Sequence, residues 1–148
     1  MSKAYRVNFQ VRLVNALMRA LVRLGIGPRQ TYLLTVRGRK SGKLYSTPVS
    51  LVEEATGRWL VAPYGEVGWL RNARAAGTVT LTRGRRSETV SLAAAGPEES
   101  APVLRKYLAL EPIAQPYFDA RPDSPMRAFE AEAARHPVFR LQPAAKLA

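Results

Sequence analysis

The chain reads as a mainly β protein, a small antiparallel barrel with flanking helices. Three observations carry this. Short β-prone runs separated by compact turns fill residues 30–93. Strands and helices do not alternate regularly, which argues against a doubly wound sheet. Four prolines, Pro112, Pro116, Pro122 and Pro125, then break the following stretch into short pieces.

Val11 to Leu24 reads as a helix, because Leu13, Leu17, Leu21 and Leu24 fall near one face. Gly25 and Gly27-Pro28 end it. Two roles stand open for it: a cover for one side of the barrel, or a basic amphipathic helix on an anionic membrane, since Arg12, Arg19 and Arg23 punctuate the leucines. Gln30 to Val36, rich in Thr, Tyr, Leu and Val, is the first strand. Thr47 to Val52 is the next, with Pro48 implying an edge, a bulge or a strand start. Glu53 to Gly57 reads as a hairpin turn with solvated carboxylates, and Arg58 to Ala62 as the third strand. Val67 to Arg74 is a short helix closed by Gly77. Thr78 to Thr82 and Thr89 to Ala93 form a hairpin about the basic turn Arg83-Gly84-Arg85-Arg86. Pro97 opens a helix to about Leu108, with Glu98 and Glu99 suiting its positive end. Met126 to Arg135 reads as a final helix and Val138 to Leu141 as a last strand.

With 148 residues, 47 per cent of them apolar, the chain supports one domain with a real core, expected to span residues 1–148. The expected layout has the amphipathic helix at 11–24 and a helical tail with a last strand over 97–148. No cysteine is present, so disulfides, thiol catalysis and thiolate metal sites are excluded. No 18-residue uncharged apolar run occurs, and the opening Met1-Ser2-Lys3-Ala4-Tyr5-Arg6 lacks the features of a signal peptide. The net charge is +12, and it is uneven: residues 1–97 hold 16 Lys/Arg against four Asp/Glu, whereas residues 98–148 hold seven of each. Such a field draws anions without choosing among them. Helix-turn-helix spacing, zinc-finger ligands and RNP-type aromatic strands are all missing, so no specific nucleic-acid partner is expected.

His136 is the sole histidine, which rules out a histidine-based metal centre, and no carboxylate cluster compensates. No metal is expected. His136 reads as structural, and no Gly-x-Ser-x-Gly elbow occurs. Protein groups alone are thus poor at difficult bond chemistry, which points to a cofactor that brings its own. Two segments can hold one. Thr35-Val36-Arg37-Gly38-Arg39-Lys40-Ser41-Gly42-Lys43 packs four cations, two glycines and a serine between two strands, able to converge on one anion. An ordinary solvated hairpin tip would look similar. Tyr64-Gly65-Glu66-Val67-Gly68-Trp69-Leu70-Arg71-Asn72 sets large rings beside glycines, which allow close approach of a flat ligand. Trp69 can equally serve the core. Asn72 can cap, bridge backbone groups or hold a ligand amide. Tyr107, Tyr117 and Phe118 can each roof a pocket or fill a core.

Thr35 to Gly42 followed by Thr47-Pro48 resembles the signature of the deazaflavin-dependent nitroreductase family. Val61-Ala62-Pro63-Tyr64-Gly65 and then Gly68-Trp69-Leu70-Arg71-Asn72-Ala73-Arg74-Ala75-Ala76-Gly77 is similar to that family's second block, in the same order. The resemblance implies a split β-barrel of about six mostly antiparallel strands that binds coenzyme F420. It implies an F420H2-dependent oxidoreductase passing a hydride to a quinone, nitroaromatic or activated enone. It points to cofactor binding by Arg39, Lys40, Ser41, Gly42, Thr47, Pro48, Trp69 and Asn72, and to an aromatic on the substrate side, for which Tyr117 is the candidate; Tyr64, Tyr117 or water can supply the proton. Tyr45 stands where many relatives place an arginine, and the 64–68 loop is short, which keeps FMN as the alternative cofactor. The alternative class is a non-catalytic binding protein for an anionic or hydrophobic cofactor such as F420, FMN, heme or a fatty acid, with nucleic acid ranked lower. The expected location is the cytoplasm, with peripheral contact at the inner membrane face open. Monomer and homodimer both stand, because no residue marks an interface.

Overall fold

A computed structural model describes residues 16–17, 19–22, 24–25 and 28–144. Among the described residues six strands are present: β1 (Thr31–Arg37), β2 (Leu44–Glu54), β3 (Gly57–Val61), β4 (Thr78–Arg83), β5 (Arg86–Ala94) and β6 (Val138–Pro143). They close a barrel in the order β1-β2-β3-β6-β5-β4, with every neighbouring pair antiparallel. Among the elements described from end to end, the helices are α1 (Gly68–Ala76), α2 (Pro97–Leu110) and α3 (Met126–Glu132), with a 3-10 turn at Pro112–Tyr117.

The period-2 alternation of the strands serves two cores. Leu34, Val36, Leu51, Leu60, Leu81, Val90 and Phe139 fill the barrel interior together with Leu70 and Ala73 of α1. Their chain neighbours Val52, Trp59, Val61 and Val138 point outward and are covered by Leu104, Tyr107 and Leu108 of α2 and Phe129 of α3. This part of the sheet is therefore buried on both faces. Phe129 is fully buried and anchors α3, and burying such a side chain stabilises by about 1.5–3 kcal/mol.

β2 is longer than its β-prone core because it serves two partners in turn. Leu44–Ser50 pair with β1, and Leu51–Glu54 pair with β3. Pro48 lies opposite Leu33 and outside the β3 register, so it occupies an edge, where a missing donor does no harm. The expected turn at Glu53–Gly57 is tighter, at Ala55 and Thr56, and its carboxylates are engaged. Glu53 accepts from Arg58 Nε at 2.9 Å and from the Tyr32 hydroxyl at 3.1 Å. Glu54 pairs with Lys106 of α2 at 2.6 Å.

α1 ends where glycine allows it to. Gly77 adopts φ 76°, and its N–H donates to Ala73 O at 2.8 Å. Pro102 is tolerated in the first half of α2, and Glu98 and Glu99 sit in its first turn. α3 is shorter than expected and gives way to a turn after Glu132. Of the helix expected at 11–24, residues 11–15, 18 and 23 lie outside the described residues. Residues 19–22 are helical, Val22 is buried, and Leu17 and Leu24 are exposed.

Candidate active site

The β1–β2 connection is a built turn. Gly38 N–H donates to Lys43 O at 2.7 Å and Gly42 N–H to Gly38 O at 3.0 Å. Arg37 Nη1 donates to Gly42 O at 2.7 Å, and Lys43 N–H to Ser41 Oγ at 3.2 Å. Gly42 sits at φ 73°, the left-handed region that favours glycine. Gly38 is required for a different reason: a Cβ there would lie 2.6 Å from the Tyr45 ring. Tyr45 packs over the turn and its hydroxyl meets Ser41 Oγ at 3.2 Å. Tyr45 thus braces the turn from within.

α1 holds this turn from the other side. Asn72 is buried, and its Oδ1 accepts from Arg39 N–H at 3.1 Å and from Arg39 Nη1 at 2.6 Å. Of the three roles open to Asn72, the structure shows the bridge. One guanidinium nitrogen of Arg39 is thereby fixed, while the side chain itself stays exposed. Among the described residues, Arg37, Arg39, Lys40 and Lys43 have no carboxylate within ion-pair distance. Four cations on one turn without a carboxylate partner among the described residues fit a phosphate-bearing group. Next to them, the Leu44–Ser50 edge of β2 that faces away from β1 has no strand partner among the described residues. Thr47 and Pro48 are half-buried on that edge, and Thr35 Oγ1 meets Ser46 Oγ across β1–β2 at 2.9 Å. Trp69 is half-buried, packed against the barrel core from α1.

The tyrosines form a second group. Tyr64 and Tyr117 meet edge to face with ring centroids 4.9 Å apart. Tyr107 is buried in the core against which Tyr117 packs. Burial first, then the neighbouring Tyr64 and Glu111, push its pKa upward, so its hydroxyl stays protonated. His136 ties this group to the loop before α1. Its Nδ1 lies 2.5 Å from Pro63 O, so Nδ1 carries the proton and donates. Phe118 stacks on its ring at 3.8 Å. Burial is the main influence on His136 and pulls its pKa down, so it is neutral near pH 7. Its Nε2 is buried, 3.9 Å from Glu132 Oε2, and the Tyr117 backbone also acts on the ring.

The structure thus joins Arg39 to Asn72, places Lys40, Ser41 and Gly42 on the same turn, and pairs Tyr64 with Tyr117. Trp69 shares a helix with Asn72. The 63–67 loop links the two groups through the chain. Glu111 escaped the sequence reading. Its Oε1 accepts from Ser50 Oγ at 2.6 Å and Gln30 Nε2 at 3.4 Å, tying the helical layer to β2. A lone glutamate after a helix carries no signal for this. His136 was readable as structural, but its hold on the Pro63 carbonyl was not.

The profile of the F420H2-dependent quinone reductase family matches residues 9–120. Curated proteins yield no significant match. Among solved structures, an F420-H2 dependent reductase is 24% identical over 77% of this chain and 95% of its own, with a TM-score of 0.54. A protein of unknown function from Agrobacterium tumefaciens str. C58 is 18% identical over 86% of this chain, with a TM-score of 0.57. This chain spans about half of that protein's length, 54%. The heme storage protein from Vibrio cholerae is 12% identical, with a TM-score of 0.55, over 80% of this chain and 84% of its own. These three likenesses show a shared barrel fold. The family profile spans well over half of the chain and covers both the basic turn and the tryptophan helix, so the chain belongs to the F420H2-dependent quinone reductase family of split-barrel oxidoreductases.

Proposed function

We propose that this protein reduces a quinone-type or nitroaromatic acceptor with F420H2, and that the 38–43 turn holds the phosphate-bearing part of the cofactor. The observation that carries the reading is the cationic turn itself, lacking a carboxylate partner among the described residues and braced by Asn72. When bound, reduced F420 supplies the hydride, so no redox-active side chain is needed. Lys40 offers a movable point charge, and Arg39 offers the guanidinium nitrogens that Asn72 leaves open. Ser41 is spent on Lys43 and Tyr45, so it shapes the turn. The unpaired β2 edge at Thr47 and Pro48 gives a flat ring system a surface to lie against. Tyr64 and Tyr117 wall the acceptor side, exclude water and present phenol hydroxyls to a developing negative charge.

No described helix is long and apolar enough to cross a membrane. A cytoplasmic protein resting on the inner membrane face accords with the exposed Leu17 and Leu24, and with an acceptor that resides in lipid. Flotation with anionic liposomes at low salt tests this part, and protein left wholly in the soluble fraction rejects it.

Two measurements test the core of the reading. F420 titrated against wild type and an Arg39→Ala/Lys40→Ala double variant should show a loss of about 1.5–3 kcal/mol, roughly ten- to hundredfold in affinity. Equal affinities remove the clamp. Anaerobic mixing of reduced F420 with menadione or a nitroaromatic should reoxidise the cofactor well above the blank. Tight binding without reoxidation points instead to a carrier.

A further inference from the structure

A second basic site lies at the other end of the barrel. β1 is seven residues long, Thr31 to Arg37, so its ends lie roughly 20 Å apart at about 3.3 Å per step, and the proposed cofactor turn follows its far end. At its near end is a cavity of about 950 Å³ whose lining carries five arginines and one glutamate. Two of the arginines are set firmly. Arg58 is gripped by Glu53 at 2.9 Å and Glu88 at 2.7 Å. Arg83 donates from Nη1 to the carbonyls of Pro28 and Thr31, both at 2.8 Å. The other three, Arg29, Arg85 and Arg86, have no carboxylate within ion-pair distance among the described residues.

The backbone that carries them is anchored. Gly84 N–H donates to Val22 O at 3.1 Å, and a Cβ on Gly25 would stand 3.4 Å from Gly84 Cα. The β4–β5 hairpin tip is therefore docked against Val22 and Gly25. Tyr32, half-buried on the wall, adds a ring, with the Arg58 guanidinium 5.9 Å from its centroid. Five cations against Glu88, with Glu53 alongside, leave an excess of about three positive charges in one concave space. Arginine forks match phosphate oxygens in pairs, and a concave lining suits a small ligand better than a flat surface.

We propose that this cavity binds a soluble, multiply charged phosphate compound of the diphosphate class, at a site separate from the 38–43 turn. The inference does not depend on the proposed activity. Inorganic pyrophosphate is the probe, titrated calorimetrically at constant ionic strength. Wild type should bind it saturably at a site that the cavity arginines provide, distinct from any weaker binding at the 38–43 turn. Arg85→Gln/Arg86→Gln should weaken that binding at least tenfold while leaving F420 affinity unchanged. Arg39→Ala/Lys40→Ala should leave pyrophosphate affinity within about twofold of wild type. Arg29→Gln gives a second reading from a different segment should the hairpin variant fold poorly, and it should weaken binding as well. No saturable binding overturns the proposal, as does equal affinity in the arginine variants. Parallel loss of F420 and pyrophosphate in one variant overturns it in favour of a single shared site. Capture by phosphatidylglycerol vesicles that needs Arg85 and Arg86, without pyrophosphate binding, overturns it in favour of a lipid surface.

Discussion

Asn72 holds Arg39 twice through one oxygen, at 3.1 Å from the backbone N–H and 2.6 Å from the guanidinium. A buried residue of α1 thereby fixes an exposed turn between β1 and β2, 33 residues away in sequence. The position of Arg39 on the basic turn is thus set from α1.

Asn72→Ala should therefore act on both stability and cofactor binding. Losing the two bonds should cost about 1–2 kcal/mol in denaturant unfolding. F420 affinity should drop roughly tenfold, because the turn must then be ordered on binding. Asn72→Asp keeps the acceptor oxygen and should spare most of the stability, but its carboxylate offsets the Arg39 charge and should still weaken F420 binding. If both variants bind F420 as wild type does, the bridge has no part in ligand binding.

Gly42→Ala isolates the backbone requirement. No atom lies within 4 Å of the added Cβ, so only the left-handed φ of 73° opposes it. The expected destabilisation is about 1 kcal/mol by thermal or chemical melting. A neutral or stabilising result would mean that the turn readily takes another conformation.

His136 predicts a pH effect with a definite sign. Burial lowers its pKa in the folded protein, against the weaker opposing pull of the Pro63 carbonyl and Glu132. As pH falls, the unfolded chain takes up this proton first. The contribution is thus complete above about 6.5, the ordinary histidine value, and is lost as pH falls from there toward the folded value. Melting curves between about pH 7.5 and 5.5 should show declining stability, before most carboxylates titrate. His136→Phe, which keeps a ring against Phe118, should flatten that slope. Parallel wild-type and variant profiles would assign the slope to other groups.

Glu99 predicts a separate loss in more acidic solution. Its Oε2 accepts from Trp59 Nε1 at 2.8 Å and Arg140 Nε at 2.9 Å. The Trp59 bond lowers its pKa most, burial opposes, and Arg140 adds to the lowering. Its stabilisation is present above the usual glutamate range and fades as pH falls through the folded value. The side chain is 36% exposed, so Glu99→Gln should cost only about 0.5–1 kcal/mol at pH 7 after allowance for screening. A difference between wild type and variant that stays constant down to pH 3 would contradict the assignment.

The sheet was legible in sequence wherever the turn chemistry is local. Gly77, Gly84 and the Thr-Val alternation of β4 mark their hairpin directly, and Pro48 narrows its place to an edge, a bulge or a strand start before any strand order is known. Boundaries slipped where strands change partner. Nothing in Leu44-Tyr45-Ser46 announces that β2 extends back to meet Arg37, because only pairing with β1 makes those residues a strand. The candidate site was legible as two separate segments. Their joining by Asn72 was not, since one asparagine has several equally good local uses. Tyr117 lay within reach of sequence reasoning only as an aromatic residue in a proline-broken stretch. Its contact with Tyr64 depends on how α2 and the 3-10 turn fold back over the barrel, which is a matter of packing.

β6 lies between β3 and β5, although it is made after α2 and α3. During synthesis, the facing edges of β3 and β5 must wait for it. From Ala94 to Pro143 the ribosome adds 49 residues, roughly 2.5–10 seconds at about 5–20 residues per second. For that interval the nascent chain carries two open β edges flanked by Leu60 and Leu92, surfaces prone to join another chain. Ribosome crowding and chaperone supply should therefore influence yield more strongly than the equilibrium stability of the finished barrel.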